Sequence, residues 1–161
     1  MPDIRVVGIG EYLTAQAPVQ IAAYGLGSCA GVAIYDTVTG YGALAHSLLP
    51  SPPPGSSRYR SARYTDIAIQ LMLEQLIKSG CATSTLVAKL AGGAAMYDGL
   101  YREGETGIGE RNTYSARETL VKLSIPIAAE DIGGTIGRSM IFDLKSGLIT
   151  IRTLHHRDTI L

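Results

Sequence analysis

The first third of the chain is a series of short apolar runs broken by turn-forming residues. Residues 4–7, 12–14, 19–24, 31–35 and 42–48 are apolar stretches, most with β-branched side chains, separated by Gly, Pro, Asp and Thr. Runs of this length, bounded in this way, predict strands. Asp36-Thr37-Val38-Thr39-Gly40 has turn chemistry, so the fourth and fifth runs are predicted to pair as a hairpin.

The pattern changes after residues 50–60, a Pro/Ser-rich segment that can be neither a helix nor a central strand and reads as a surface loop. A helix is predicted from Thr65 or Asp66. Ile67, Leu71, Met72, Leu73, Leu76 and Ile77 form its apolar side, and Gly80 stops it. Residues 85–91 read as a strand running into Gly92-Gly93. A second helix is predicted over residues 109–123, with Ala116, Leu120 and Leu123 on one face and Pro126 beyond its end. Residues 127–131, 138–144 and 148–153 return to strand character, the last two joined by a turn at Lys145-Ser146-Gly147. About eight strands and two main helices, with the strands in the first and last thirds, predict an α/β sandwich. Its sheet is expected to be mixed and largely antiparallel, within one domain over residues 1–161.

Composition narrows the function. Lys plus Arg and Asp plus Glu are both 14, so the net charge is zero and the basic excess of a nucleic-acid binder is absent. No apolar run is long enough to predict membrane insertion, and the start of the chain does not read as a signal peptide, so the expected location is cytoplasmic. In that compartment Cys29 and Cys81 are expected to be reduced thiols. His155-His156 has no matching Cys/His cluster, so no metal and no other cofactor is expected.

The most informative local segment is Tyr24-Gly25-Leu26-Gly27-Ser28-Cys29-Ala30, set between two predicted strands. Its glycines permit a tight turn, with Gly27 and Ser28 as loop support. A thiol on such a turn lies against backbone N–H groups, which lower a thiol pKa and can hold an oxyanion. A lone cysteine is also a common small buried hydrophobe, and the segment alone does not choose between the two. The spacing Gly25-x-Gly27-x-x-Ala30 fits a dinucleotide fingerprint, but a strand follows it, so the phosphate lacks its helix N-terminus. His46 lies on the strand after the hairpin among small neighbours, where it could meet Cys29 as a thiolate–imidazolium couple.

The motifs Gly8-Ile9-Gly10-Glu11-Tyr12, Gly25-Leu26-Gly27-Ser28-Cys29, Ala45-His46-x-Leu48-Leu49-Pro50 and Tyr64-x-Asp66 resemble the CheD family. So do Ala88-Lys89-x-Ala91-Gly92-Gly93-Ala94-x-Met96, Ile108-Gly109-x-Arg111-Asn112 and Glu130-Asp131-x-Gly133-Gly134-x-x-Gly137-Arg138. They run in order along nearly the whole chain. The resemblance implies a chemoreceptor glutamine deamidase with a papain-like Cys–His site, acting on the cytoplasmic helices of methyl-accepting receptors. It also implies hydrolysis of receptor methyl esters and binding of a CheC-type phosphatase. By position, it implies Cys29 as nucleophile and His46 as base.

One departure stands out. Where the family has a third catalytic residue, a threonine, this chain has Ala23. Two groups are expected to orient His46 instead, the backbone carbonyl at Ala23 or the hydroxyl of Thr65. The competing class is a weakly active or inactive adaptor that keeps the fold and docks on receptors or on a CheC-type phosphatase. A hydrolase of free small amides is a third reading.

Overall fold

The computed structural model describes residues 2–56, 60–96 and 105–161. The strands are β1 (Ile4–Val6), β2 (Tyr12–Gln16), β3 (Gln20–Leu26), β4 (Ala30–Asp36), β5 (Tyr41–Ser47), β6 (Leu86–Gly92), β7 (Ile127–Ile132), β8 (Arg138–Asp143), β9 (Ile149–Arg152) and β10 (Thr159–Ile160). The helices are α1 (Thr65–Lys78) and α2 (Ile108–Lys122), with a short 3-10 turn at Thr83–Thr85. The expected α/β class, the two helices and the Asp36–Gly40 hairpin are all present.

The expectation of one sheet is corrected. The strands form two five-stranded sheets, in the orders β1-β3-β8-β9-β10 and β2-β5-β4-β6-β7. Each is antiparallel apart from one parallel pair, β1 with β3 and β6 with β7. The physical reason lies in burial. Strand β8 alternates buried and half-buried positions, as a sheet with one wet face must, whereas β4 and β5 are buried at nearly every position. Only a sheet covered on both sides produces the second pattern.

Two apolar clusters build the layers. Ile21, Leu26, Leu44, Met140 and Phe142 fill the seam between the sheets. On the other face of the second sheet, Val32, Ile34, Ala45 and Leu90 pack against Ile69, Met72 and Leu76 of α1 and Ala116 and Leu120 of α2. The buried α1 residues Ala68, Ile69, Met72 and Leu76 form one helical stripe, and burying each large member stabilises the fold by about 2 kcal/mol. On α2 the buried stripe includes a polar residue, Asn112, which is fully enclosed.

The chain changes sheets between β3 and β4, through Gly27-Ser28-Cys29. It then runs down β4 and back up β5. The hairpin register pairs Ala30 with Ser47 and Gly31 with His46. Asp36 fixes this turn. Its carboxylate accepts from the Val38 N–H (2.9 Å) and the Thr39 hydroxyl (2.7 Å), and Gly40 supplies the left-handed residue at φ +76.

Burial alone would raise the Asp36 carboxyl, but hydrogen bonds from Thr85, Val38 and Thr39 prevail and hold it down at about 2. The folded value lies below the ordinary 3.8 of the unfolded chain, so the carboxylate stabilises the fold above that pH. This contribution is lost as pH falls from about 4 toward 2. Asp36→Ala is therefore expected to cost about 2 kcal/mol near neutrality in urea unfolding. The gap from the parent should narrow below pH 4, and a constant gap down to pH 2 would exclude this role.

Candidate active site

Residues directly opposite in an antiparallel pair share a face of the sheet. A Cβ added at Gly31 would run into the side chains of Met140 and Leu26, so the face shared by Gly31 and His46 looks into the seam between the sheets. Cys29 packs on the same seam cluster, which also contains Ala23 and Leu26. The fold thus brings Cys29, His46 and Ala23 to one end of the seam, beside the point where the chain switches sheets.

The backbone of His46 is held by the edge strand. Its N–H donates to the Glu11 carbonyl (3.0 Å), and its carbonyl accepts from the Gly10 N–H (2.7 Å). The residue is 1% exposed, yet among the described residues neither ring nitrogen has a hydrogen-bond partner. Neither expected orienting group makes the bond. The Thr65 hydroxyl and N–H are both spent on the Leu49 carbonyl (2.9 and 2.8 Å) at the start of α1, and the Ala23 carbonyl does not reach the ring.

The loop carrying Cys29 is held from outside. The carbonyl of Gly27 accepts from the Ala94 N–H (2.9 Å), that of Ser28 from the Asn112 amide (2.9 Å), and that of Cys29 from the Gly93 N–H (2.9 Å). Gly92, at φ +98, passes so close that a Cβ there would strike the Cys29 carbonyl. The supports are themselves tied down. Gly133 N–H donates to the Gly92 carbonyl (2.9 Å), and Ala95 N–H to that of Gly134 (2.8 Å). Arg138, 8% exposed, donates to carbonyls of Asp131, Gly133 and Ile136 and pairs with the Asp131 carboxylate.

Gly92, Gly93, Asn112 and Arg138 stood in the motifs that resemble the family but carried no assigned role, because each contributes through a contact far away in sequence. Their signal was the clustering of glycine with buried-capable polar groups at strand and helix ends. Beside the loop lies a cavity of about 600 Å³. Ser28, residues 93–96, the first turn of α2 and residues 132–134 line it, whereas Cys29 and His46 do not. Among the described residues, no group of three or more His, Cys, Asp and Glu is arranged to hold a metal, and no helix is long and apolar enough to cross a membrane.

Burial governs the electrostatics. It raises the Cys29 thiol, against a smaller downward pull from the residue's own backbone N–H. It lowers His46. Both shifts run toward the uncharged forms, against the thiolate–imidazolium couple expected for a Cys29–His46 pair. Desolvation in the seam outweighs the loop's N–H groups.

A family profile described as CheD chemotactic sensory transduction matches residues 48–153. The chain belongs to the CheD family. The match begins after His46, but relatives align over more of the chain. A Geobacter metallireducens protein named "Probable chemoreceptor glutamine deamidase CheD 2" is 49% identical over 96% of both chains, which takes in Cys29 and His46. A similarly named CheD protein of Desulforamulus reducens is 43% identical over 92% of this chain and 89% of its own. That of Pyrococcus horikoshii is 44% identical over 94% and 93%. Among solved structures, Bacillus licheniformis hypothetical protein YfiH matches with a TM-score of 0.48 and 17% identity, over 74% of this chain and 49% of that one.

For this CheD-family chain the upward shift of the Cys29 thiol gives a direct expectation. Iodoacetamide alkylation of Cys29, followed on its tryptic peptide by mass spectrometry, should rise only above the ordinary thiol value of 9.0. Fast alkylation at pH 6–7 would instead reveal a preformed ion pair.

Proposed function

We propose that this chain hydrolyses the side-chain amide of glutamines on the cytoplasmic helices of chemotaxis receptors, in the cytoplasm, by a Cys–His thioester route of papain-like arrangement. The observation that carries the reading is the convergence of Cys29 and His46 on one seam, in a chain whose relatives are named chemoreceptor glutamine deamidases.

In this mechanism His46 accepts the Cys29 proton as sulfur attacks the carboxamide carbon. The Cys29 N–H, which lies against the thiol, and the Ser28 N–H are the oxyanion donors. His46 then passes its proton to nitrogen as the C–N bond breaks and ammonia leaves. Water, deprotonated by His46, attacks the thioester and releases glutamate and the thiol. A glutamate methyl ester would reach the same thioester with methanol as leaving group. No cofactor takes part. A neutral imidazole suits this order of events, because it is ready to accept a proton at rest.

The test is to incubate the protein with receptor cytoplasmic fragments and follow the Gln-to-Glu mass change. Cys29→Ala and His46→Ala should each lose at least about a hundredfold in rate. Full activity in Cys29→Ala would falsify the assignment. The acid limb of the kcat/KM profile should fall below the ordinary histidine value of 6.5, because burial depresses His46.

The second reading is an adaptor that docks on receptors or on a CheC-type phosphatase and does little chemistry. The unpartnered His46 ring and Ala23 in place of a threonine favour it. Ala23→Thr separates the two. Ala23 is fully buried in the seam cluster, so a hydroxyl there would enter the layer that His46 faces. For a deamidase, an added orienting bond of about 1 kcal/mol should raise kcat about fivefold, at some loss of stability from overpacking. No gain from an inactive parent would support the adaptor.

A further inference from the structure

We propose that Asn112 is a positioning residue for this reaction. Its side-chain amide holds the Cys29 and His46 arms together where the β4–β5 ladder ends. The inference rests on the deamidase reading and goes beyond it, because it assigns a role to a residue that touches neither the thiol nor the imidazole.

The last ladder pair between these strands is Ala30 with Ser47. One step further would set Cys29 opposite Leu48, but both chains turn to other partners there. The Leu48 N–H goes to the Arg63 carbonyl (2.9 Å), and the Cys29 carbonyl goes to the Gly93 N–H (2.9 Å). The arms therefore separate just where the nucleophile must stay beside the base. Asn112 bridges that gap. Its two amide hydrogens donate to the Ser28 carbonyl and the Leu48 carbonyl, both at 2.9 Å.

The residue is fully buried on the inner stripe of α2, so water cannot replace it. Two acceptors on one nitrogen also fix which way the amide faces. Asp would set a carboxylate against two carbonyl oxygens, Leu would leave both carbonyls unpaired, and Ser could satisfy only one. The bridge fixes the residue before Cys29 against the second residue after His46. Displacing reacting groups by about 1 Å can cost a hundredfold in rate, so a clamp at this point is felt in chemistry before it is felt in substrate binding.

A comparison with Ser115 separates positioning from stability. Ser115, one turn along the same helix, donates its hydroxyl to the Pro50 carbonyl (2.7 Å) and ties α2 to the chain two residues past Leu48, with no bond to the Cys29 arm. Parent, Asn112→Ala, Asn112→Ser and Ser115→Ala are assayed on a receptor cytoplasmic fragment, with Tm recorded for each. The expected result is a kcat loss of about tenfold or more in Asn112→Ala, with KM within about twofold. Ser115→Ala should lower Tm while keeping kcat within about twofold. If Asn112→Ala does not fold, Asn112→Ser, which can keep at most one of the two bonds and so loses the bridge, must show the same kcat-against-KM split.

Full kcat in a folded Asn112 variant would overturn the proposal, as would equal losses in the Asn112 and Ser115 variants in step with Tm. If the parent shows no deamidation, the functional reading fails, and the positioning role is judged by the pH profile of Cys29 alkylation. A shift in Asn112→Ala or Asn112→Ser but not in Ser115→Ala supports the role, and identical profiles refute it.

Discussion

The structure depends on three consecutive carbonyls being satisfied from outside their own loop. Gly27, Ser28 and Cys29 form the segment where the chain leaves one sheet for the other, so they cannot use the ladder of either. Their acceptors are taken by Ala94, Asn112 and Gly93, from two segments distant in sequence. The loop is half-buried, and the three bonds satisfy its carbonyls where neither sheet's ladder reaches them. They also fix the loop before any substrate arrives. The supports form a hierarchy, in which Arg138 ties residues 131–136, those residues tie 92–95, and these in turn tie the Cys29 loop.

Much of this was legible in the sequence, and the failures have a common cause. The elements were readable because their signals are local. Alternation, a Gly-closed turn after Asp36 and the helical period of α1 all operate over a few residues, although the buried stripe of α1 runs through Ala68, Ile69, Met72 and Leu76 and leaves the expected Ile77 exposed. The division into two sheets was encoded less directly, in the contrast between the continuous burial of β4 and β5 and the alternation of β8. Strand β10, two residues long, carries no periodic signal at all. The placement of His46 opposite Gly31, two residues past Cys29, could be anticipated from a hairpin, since its register depends on one turn. Asn112 could not be placed, because its partners at Ser28 and Leu48 meet it only through the packing of α2 on the second sheet.

Electrostatics was the least legible layer. A thiol on a glycine turn looks activated when only its backbone donors are considered. The seam that encloses it reverses the sign for the thiol and lowers the imidazole at the same time. Both shifts have one cause, removal of water, and both favour the uncharged forms. The same burial leaves the His46 ring without a partner among the described residues, an arrangement that is expensive for a polar group and therefore calls for a functional explanation.

Ala23 and Asn112 bear on that explanation from opposite directions. With alanine at position 23, no side-chain hydroxyl from β3 directs the imidazole, so the ring's orientation rests on its backbone and on the shape of the seam. The backbone is well fixed, by Gly10 and Glu11 on one side and the Gly31 pairing on the other. The remaining freedom is the distance between the two arms past the last ladder pair, and that is where the Asn112 amide acts. A site lacking an orienting hydrogen bond relies more heavily on the rigidity of its frame. In this chain the frame converges on the segment that carries Cys29.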